Sequence, residues 1–389
     1  MKVSLLCFDC SSNAAGRALL LARLLAPRYE VEIVGPCFGD GVWQPVRETE
    51  TLFVHLPGAR YPRFLLRLPR LLRSMSGEIL YASKPRPTSF GVGLLRRWAT
   101  RRPLILDIDD WEAGFFYHSG FWGTVGRFLN LSNPNGLPWT FLMEKLVGRA
   151  QGLTVASRFL QAKFGGTLIP HVRDTDLFDP DRADPKPVRA LLGIEGKRVA
   201  IFLGTPHAHK GIDDLAEAVR RLDRPDLVLV VVGAAPGSRA GERLSRLGDR
   251  VRLVPGIPFD RAPDYLAAAD LVAIPQRLTT DTVGQTPAKL FDAMAMARPI
   301  VSTRVSMIPE ILDGAGLLIE PGRVHELAEA IAFLLDHPDE ARDLGQKARA
   351  RAVAHYSFAA VRPALFQLFD QVLASFSRAP ATEPRPPAS

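Results

Sequence analysis

Short apolar runs alternate with helical patterns along most of the chain, and this alternation predicts parallel strands joined by crossover helices. In the first half, the apolar runs predict strands at 3–8, 31–34, 51–55, 79–82, 103–107, 153–156 and 167–170. Helical patterns lie at 14–26, 88–99 and 139–149. This order of elements predicts an α/β domain built on one doubly wound sheet.

A segment rich in Asp and Pro, residues 173–187, then predicts a linker, because both residue types favour turns over regular elements. A second series of strands is predicted at 198–203, 227–232, 251–254, 271–274, 299–303 and 317–319. Helical patterns accompany it at 212–222, 238–247, 262–268, 287–297, 308–312 and 324–335. Two such series predict two Rossmann-like domains that face one another across a cleft.

The chain of 389 residues exceeds the usual span of one hydrophobic core. We therefore expect a first domain at 1–180 and a second domain at 181–357. The helical pattern at 358–376 follows the second domain and is expected to pack back on the first. Residues 377–389 are rich in Pro and Ala without apolar periodicity, and they are predicted to form a disordered tail.

Composition and charge narrow the class of protein. With 47% hydrophobic and 23% charged residues, the chain is typical of a globular protein. No run approaches the roughly 20 apolar residues of a membrane span, and Asp9 comes too early for a signal peptide, so a cytoplasmic protein is expected. The net charge of +8 arises mainly in residues 1–180, with 22 Lys and Arg against 15 Asp and Glu. This excess predicts an anionic partner for the first domain: a membrane surface, a nucleic acid or a charged acceptor.

The three cysteines, Cys7, Cys10 and Cys37, all lie near the start of the chain. No His or further Cys follows them at zinc-ligand spacing. Cys7 and Cys10 form a C-x-x-C pattern, but it continues a strand and lacks the context of a redox motif. Packing is therefore the favoured interpretation, and no metal site is predicted.

The loop after the first strand of the second domain has the sequence GTPHAHKG at 204–211. Gly204 lets backbone approach a ligand, and Lys210 lies where a helix begins. A helix N-terminus and an adjacent ammonium together suit a phosphate, although a loop lysine that is only solvated would look the same. His207 and His209 are further candidates in this loop.

A second candidate segment has the sequence TPAKLFDAMA at 286–295. Pro287 marks a helix start, and Lys289 and Asp292 lie three residues apart on one face. They would form either a surface ion pair worth about 0.5 kcal/mol or a site for phosphate and ribose, and the spacing alone favours the ion pair. A buried strand and turns with the motifs ARPIVST, PEILDG and GLLI follow it.

These segments, 204–211 and 287–319, together resemble the donor domain of the group 1 glycosyltransferases, the retaining family 4 enzymes of GT-B fold. The resemblance extends to 231–233 (Val-Val-Gly) and to 170–174 (Pro-His-Val-Arg-Asp) before the linker, and it covers nearly the whole chain. It implies transfer of a sugar from a UDP- or GDP-sugar donor to a hydroxyl acceptor, a glycan, a lipid-linked or a small molecule, with retention. It further implies that no cofactor is used and that Mg²⁺ is not essential.

The chain departs from the family pattern at three positions. Thr205 stands where the family has a phosphate-binding Arg, Gly284 stands at the first acid of the Glu-x7-Glu motif, and Asp292 replaces the second acid. The resemblance places Lys210 and Lys289 on the diphosphate and Asp292 on the ribose hydroxyls. It implies that Gly204, Thr205, His207 and Gly284 complete the donor site. In the first domain, the loop at 11–17 resembles the family's loop facing the donor phosphate, with Gly16 and Arg17 as candidates.

Four carboxylates lie in the sequence DIDDWE at 107–112, at the end of an apolar strand. Such a cluster could bind Mg²⁺, orient an acceptor hydroxyl or cap the following helix, and the residues leave these open. Alignment with the family places Asp109 where a His near the reaction centre lies, which implies a catalytic contact. Asp110 and Trp111 are then expected on the acceptor side.

Residues 60–75 predict a basic amphipathic helix, with Arg63, Arg67, Arg70 and Arg73 on one arc. This pattern suits either a helix packed on the core or peripheral contact with an anionic membrane surface at the inner face of the plasma membrane. An aromatic-rich segment at 115–128 could line an acceptor groove or extend such a surface. No nucleic-acid partner is expected.

Three alternatives are compatible with a two-domain α/β chain. A nicotinamide dehydrogenase is disfavoured, because no strand is followed by G-x-G-x-x-G and the second strand ends in Gly35-Pro36 in place of an acid. A non-catalytic GT-B binding module at a membrane or nucleic acid and a nucleotide-sugar epimerase both stay open.

Overall fold

The computed structural model describes residues 1–117, 126–280 and 282–378, and its first sheet is entirely parallel. Its strands are β1 Lys2–Cys7, β2 Glu30–Cys37, β3 Leu52–Pro57, β4 Ile79–Ser83, β5 Leu104–Ile108, β6 Gly152–Val155 and β7 Thr167–Leu168. They lie in the order β3-β2-β1-β4-β5-β6-β7. The order reverses between β1 and β4, and this switch point opens a crevice at the carboxyl edge of the sheet.

Helices cover both faces of this first sheet. They are α1 Ala14–Leu25, α2 Arg63–Arg73, α3 Val92–Thr100, α4 Gly114–Tyr117, α5 Leu137–Lys145 and α6 Arg158–Phe164. A π-helical turn, Pro87–Gly91, precedes α3, and short 3-10 turns lie at Gln44–Val46 and Val147–Arg149. The predicted helix at 88–99 is therefore two elements, and α6 lies in a stretch where no helix was predicted. Most of the aromatic-rich segment, residues 118–125, lies outside the described residues.

The second sheet is also parallel and doubly wound. Its strands are β8 Arg198–Leu203, β9 Leu227–Val232, β10 Val251–Val254, β11 Leu271–Ile274, β12 Ile300–Thr303 and β13 Leu317–Ile319. They lie in the order β10-β9-β8-β11-β12-β13. Both sheets thus confirm the predicted α/β class, and the continuous Val and Leu runs of β9 and β11 are buried, as strands covered on both faces require.

The helices of the second half begin inside the predicted linker. They are α7 Lys186–Leu192, α8 Ile212–Leu222, α9 Arg239–Leu244, α10 Ala262–Ala267, α11 Ala288–Ala295, α12 Ile308–Leu312, α13 Val324–Asp336, α14 Pro338–His355 and α15 Phe358–Arg378. Helix α14 was not predicted. It buries a narrow seam of small residues, Ala341, Gly345, Ala348 and Ala352, and places charged residues on its other faces.

The last helix, α15, packs on the first sheet although it follows the second. Leu365 and Phe369 are fully buried there, and the ring of Phe369 lies 5.5 Å from that of Tyr81. The helix extends through Arg378, so residues 377 and 378 do not belong to a disordered tail; the remaining residues of that prediction, 379–389, lie outside the described residues.

The chain crosses between the two sheets twice, and the two crossings are bonded together. Arg173 in the first crossing pairs as a β-bridge with Ser357 in the second. The Arg173 amide donates to Tyr356 O at 2.9 Å, and the Phe358 amide donates to Arg173 O at 3.0 Å. The crossings therefore hold the carboxyl edges of the two sheets toward one another. None of the described helices is long and apolar enough to cross a membrane.

Candidate active site

A cavity of about 380 Å³ lies between the two sheets, and loops from both sheets line it. The predicted site residues in its wall are Gly16, Arg17, Asp109, Asp110, Gly204, Thr205, Lys210, Lys289 and Asp292. Three predicted residues, Trp111, His207 and Gly284, are not among the lining residues. The cavity is bridged at its rim by a bidentate pair of Arg23 and Asp260, with N–O distances of 3.0 and 3.1 Å.

Lys289 projects from α11 into the wall of this cavity. It is only 9% exposed, and its Nζ has no hydrogen-bond partner among the described residues. The Nζ lies 3.5 Å from the ring centroid of Phe202, so its nearest support is an aromatic face. Burial, reinforced by the nearby Lys210, lowers the pKa of Lys289 well below its usual range. Asp292 opposes this shift without a hydrogen bond to Nζ, so the buried ammonium stays destabilised until an anion binds it directly.

Lys210 lies in the loop after β8, and Gly211 fixes its position. A Cβ on Gly211 would lie 1.7 Å from Pro275 O, and the residue has a φ of +71°, so the loop can take this path only with glycine. Burial lowers the pKa of Lys210 to about 8. Two lysines with lowered pKa values in one cavity wall form a site that gains from binding an anion with more than one charge.

The N-terminus of α8 is a weaker anion site than the sequence suggested. Its first turn carries Asp213 and Asp214. Asp214 accepts a bidentate pair of hydrogen bonds from Arg277, with N–O distances of 2.8 and 2.5 Å. Two carboxylates there offset the positive end of the helix, so the lysine side chains carry the attraction for an anion. His207 lies in the same loop, exposed and stacked on His209 at 5.5 Å, outside the cavity lining.

Asp292, which the resemblance placed on ribose, is engaged within the protein. Its Oδ1 accepts a short hydrogen bond from Arg173 Nε. The same guanidinium donates to Val172 O at 2.7 Å and to Ala288 O at 3.1 Å. The pair joins α11 to the crossing segment and is buried. One oxygen of Asp292 is thus committed to Arg173, so a ligand would have to share this carboxylate with the arginine.

Arg17 also differs from its expected role. Its guanidinium donates to both oxygens of Asp107, at 3.0 and 2.8 Å, and to the carbonyls of Ile169 and Pro170. Thr154 donates a further bond to Asp107 at 2.7 Å. The side chain therefore ties α1 to the ends of β5 and β7 and has no more than one N–H left for a ligand. Gly16 lies beside it, where a Cβ would come 3.1 Å from the Trp43 ring at the cavity wall.

Gly284, a candidate for the donor site, lies at a contact between the domains and is not among the residues that line the cavity. A Cβ there would lie 2.9 Å from the Phe159 ring and 3.3 Å from Trp111 Cβ. Its carbonyl accepts from Ser157 Oγ at 3.3 Å. The same packing holds Trp111, whose ring contacts Phe159 at 5.8 Å. Lys163 lies over the Trp111 ring at 4.7 Å.

The carboxylates at 109–112 are paired with two cations that the sequence reasoning missed. Lys84 Nζ donates to Asp110 at 2.7 Å and to Glu112 at 2.6 Å, and Arg86 pairs with Glu112. Lys84 and Arg86 directly follow β4, the strand beside β5. The sequence did contain a signal for this pairing, because both charged groups directly follow buried strands. Neighbouring parallel strands end at the same edge of a sheet, so residues that follow them lie close together.

Asp109 lines the cavity, and one of its carboxylate oxygens, Oδ1, is buried without a hydrogen-bond partner among the described residues. It is 5% exposed, and its Oδ1 lies 3.2 Å from Lys84 Nζ but accepts no hydrogen bond from any described residue. Burial, opposed by Lys84 and reinforced by Asp110 and Asp107, raises the pKa of Asp109 to about 7. A carboxyl group with this pKa can hold or release a proton near neutral pH.

His171 is a further cavity residue that the predictions did not include. It follows β7 and lies 6.3 Å, ring to ring, from Phe291 on α11. Burial lowers the pKa of His171 well below its usual range, and the nearby cations Arg17, Arg173 and Lys84 lower it further. The imidazole is therefore neutral and adds hydrogen-bonding capacity without charge.

Comparison with known proteins relates the second domain to a family of transferases. Residues 197–337 match the family described as glycosyl transferases group 1. The chain is 29% identical over 236 residues to a GDP-mannose-dependent alpha-(1-6)-phosphatidylinositol monomannoside mannosyltransferase of Mycolicibacterium smegmatis, covering 56% of this chain and 61% of that protein. It is 26% identical over 192 residues to the alpha-D-kanosaminyltransferase of Streptomyces kanamyceticus, covering 48% of each. The chain thus spans about half to three fifths of the length of these curated relatives.

Solved structures extend the likeness to both domains. HepE from Anabaena, in complex with UDP and glucose, superposes with a TM-score of 0.74 at 19% identity, over 95% of this chain and 99% of that one. A sucrose-phosphate synthase from Thermosynechococcus elongatus gives 0.73 at 19% identity, over 96% and 100%. The fold is therefore GT-B, as predicted, and residues 197–337 are similar to the group 1 glycosyltransferases.

Proposed function

We propose that this protein transfers a sugar from a nucleoside diphosphate sugar to a hydroxyl acceptor, with retention of configuration and without an essential metal ion. The observation that carries this proposal is the buried Lys289 beside Lys210, in the domain that matches the family, with no hydrogen-bond partner for its Nζ among the described residues. The related structure of HepE contains UDP, and the mycobacterial relatives are named GDP-mannose-dependent, so UDP- and GDP-sugars are the donors to test first.

The two lysines supply the electrostatic part of the reaction. When the bond between sugar and diphosphate breaks, negative charge grows on the leaving diphosphate. Lys210 and Lys289 are fixed and largely removed from water, so they stabilise that charge with little reorganisation. Since the bound diphosphate raises the pKa of both lysines toward normal, they are most cationic when the charge is largest.

Asp109 faces the same cavity from the first domain and is proposed to contact the acceptor or the donor sugar. In its ionised form the Asp109 carboxylate can accept a hydrogen bond from a sugar or acceptor hydroxyl in the cavity that it lines. Asp110 lies beside it on the acceptor side. Retention, which the family resemblance implies, requires the acceptor hydroxyl to attack from the face that the diphosphate leaves.

Nucleotide binding tests this proposal directly. Calorimetry with UDP, GDP, ADP and dTDP, each with and without Mg²⁺, is expected to show selective binding of one nucleotide that is indifferent to the metal. Incubation of the matching sugar nucleotides should then release the nucleoside diphosphate, slowly to water and faster with an acceptor. Failure of every nucleotide to bind would refute the proposal. Conversion of the donor to an epimer without release would support the epimerase instead.

Binding is also expected to depend on pH in a defined direction. The free protein must keep Lys210 protonated to attract the diphosphate, and its pKa is about 8. Affinity should therefore be nearly constant between pH 7 and 8 and fall about tenfold by pH 9, because only about a tenth of Lys210 is then charged. Calorimetry across this range checks the slope, and a constant affinity up to pH 10 would contradict the assignment of Lys210.

We further propose that α2 holds the first domain at an anionic membrane surface on the cytoplasmic side. The helix buries Phe64 and Leu71, whereas Leu65 and Leu66 are exposed, Leu66 to 82%. Its arginines carry no acidic neighbour on the helix, a combination that suits anionic headgroups. Arg67 differs, since it donates to the carbonyls of Pro57 and Gly58 and braces the preceding loop.

Sedimentation with vesicles tests this membrane contact. The protein is expected to bind vesicles rich in phosphatidylglycerol more strongly than pure phosphatidylcholine vesicles, and Leu66→Glu should reduce that binding severalfold, because it adds a negative charge and removes an apolar anchor. Leu191→Glu is the matched control, since Leu191 is 73% exposed on the second domain. Equal loss in both variants, or no preference for anionic lipid, would refute the contact.

A further inference from the structure

Lys84 lies in an unusual backbone conformation at the end of β4. Its φ is +70°, a left-handed value that costs a non-glycine residue about 1 kcal/mol or more. Its carbonyl accepts from Arg86 N at 2.8 Å and from Ser89 Oγ at 2.9 Å, and its amide donates to Asp107 O at 2.7 Å. The surrounding turn therefore fixes a strained residue, and the side chain that it places is 6% exposed.

The side chain ends at the centre of three carboxylates. Oxygen atoms of Asp109, Asp110 and Glu112 lie within 4.8 Å of one another, a spacing that suits a divalent cation. Lys84 Nζ lies 3.2, 2.7 and 2.6 Å from these three groups. The ammonium thus stands where a metal ion bound by all three carboxylates would have to stand.

The balance of charge in this cluster leaves one carboxylate under-compensated. Four acids, Asp107, Asp109, Asp110 and Glu112, face three cations, Arg17, Lys84 and Arg86. Arg17 is committed to Asp107 and Arg86 to Glu112. Asp109 shares the remaining cation, Lys84, with Asp110 and Glu112. Its distance from Lys84 Nζ is the longest of the three. This explains why Asp109 alone retains a buried oxygen atom without a hydrogen bond among the described residues of the cluster.

We propose that Lys84 is a built-in cation that replaces a divalent metal ion in a three-carboxylate site and positions Asp109 toward the cavity. Its role as a positioning residue in sugar transfer rests on the proposed function, whereas its occupation of the cation site does not. An ammonium fixed by the chain needs no free metal and adds one charge where a metal would add two. Asp109 is therefore oriented without being fully neutralised.

Removal of the ammonium should convert the cluster into a metal site. Lys84→Ala leaves three carboxylates around a vacant position, so Mn²⁺ is expected to raise the melting temperature of the variant by several degrees. The wild-type protein should not respond, and Lys84→Ala combined with Glu112→Gln should lose the response because one ligand is gone. Ethylammonium, which can enter the same space, is expected to restore part of the stability.

Two outcomes would overturn the proposal. Stoichiometric Mn²⁺ binding by the wild-type protein, followed by electron paramagnetic resonance and abolished by Asp109→Asn, would show that a metal and Lys84 coexist. No response of a folded Lys84→Ala variant to Mn²⁺ or ethylammonium would show that the ammonium does not occupy a cation site. If Lys84→Ala does not fold, Lys84→Met with Asp110→Asn keeps the net charge of the cluster and is tested by the pH profile of turnover.

The pH profile of turnover separates positioning from a purely structural role. The charged and titratable groups around Asp109 come from both domains. Those of the first domain are Arg17, Lys84, Arg86, Asp107, Asp110, Glu112 and His171, and Lys210 lies across the cavity in the second. Loss of Lys84 removes the cation nearest to Asp109, so the acidic limb of the profile should move to higher pH and maximal turnover should fall at least tenfold. The affinity for nucleoside diphosphate should change less than threefold, because Lys210 and Lys289 are intact.

Release of nucleoside diphosphate from the sugar nucleotide that wild type binds provides the turnover readout. Lys145→Met is the control, since Lys145 is exposed on α5 in the same domain. An unchanged acidic limb in a folded Lys84 variant would refute the positioning role. If wild type bound no nucleotide, the proposed function would fail, while the metal response of Lys84→Ala would still decide the cation site.

Discussion

Replacement of Lys289 by Met is expected to weaken nucleoside diphosphate binding by about 10- to 100-fold. The Nζ of Lys289 has no hydrogen-bond partner among the described residues, so an anion in the cavity would accept its first hydrogen bond. Hydrogen bonds to charged groups contribute about 1.5–3 kcal/mol, which corresponds to this range of affinity. Methionine keeps the length and apolar contact of the side chain with Phe202, so the change tests charge more than packing. Calorimetry with the nucleotide that wild type binds gives the ratio.

The same variant should be more stable than wild type in the absence of ligand. Because burial lowers the pKa of Lys289, the unfolded chain binds the proton more tightly than the folded one. Burying the protonated Lys289 therefore lowers the free energy of unfolding. This loss is complete below the folded-state pKa and disappears as pH rises to the unfolded value near 10.5. The melting temperature of Lys289→Met is expected to exceed that of wild type at pH 7, with a difference that shrinks toward pH 10.

Lys186→Met is the control for both measurements, because Lys186 is exposed on α7 in the same domain. It should change neither affinity nor stability appreciably. Wild type should also take up protons on binding, visible as an enthalpy that varies with the ionisation enthalpy of the buffer, and Lys289→Met should take up fewer. Unaltered affinity in Lys289→Met would exclude the residue from the anion site.

The strands of this fold were predictable because each is a short apolar run bounded by turn-forming residues. β8, β9, β10, β11 and β13 begin and end at the predicted residues. Helix α14 was missed for a physical reason. It buries only small residues in a narrow seam, so its sequence lacks the broad apolar stripe by which an amphipathic helix is recognised. Helix α7 was hidden by the Pro and Asp residues of the predicted linker.

The cavity loops were predictable, whereas the pairing of their side chains was not. Gly204, Lys210 and Lys289 lie in the cavity wall, as their motifs suggested. Arg17 and Asp292 also lie there, but each is held by a partner distant in sequence, namely Asp107 and Arg173. A motif shows which residue type occupies a loop and says nothing about the counter-ion that another strand brings to it.

Contacts between the two domains were the least predictable features of the structure. Gly284 stands where the family has an acid, and the resemblance implied that it helps to complete the donor site. In the structure a side chain there would meet Phe159 and Trp111 of the first domain. The glycine is required by the approach of two segments more than a hundred residues apart, which neither periodicity nor spacing encodes.

Replacement of Asp109 by Asn is expected to lower turnover by about 100- to 1,000-fold while the affinity for nucleoside diphosphate stays within about threefold of wild type. Positioned acid–base groups contribute on this scale. Lys210 and Lys289, which are proposed to bind the diphosphate, lie in the other domain and are unchanged, so the loss should appear in kcat. Turnover of wild type should decrease as pH falls through about 7, where Asp109 becomes protonated, and Asp109→Asn should remove that limb because its amide does not titrate.

The stability of the Asp109→Asn variant provides an independent check. A damaged fold would lower its melting temperature, whereas loss of a catalytic group alone would not. Burial raises the pKa of Asp109 to about 7, so the folded protein binds this proton more tightly than the unfolded chain. The stability that this provides at low pH is lost as pH rises from about 4 to 7. Asn carries no charge to bury, and the variant should therefore equal or exceed wild type in melting temperature at pH 8. Asp249→Asn, at an exposed position of the second domain outside the cavity lining, is the matched control and should leave turnover unchanged. A variant that is stable, binds nucleotide and turns over normally would remove Asp109 from the reaction and leave catalysis to the two lysines.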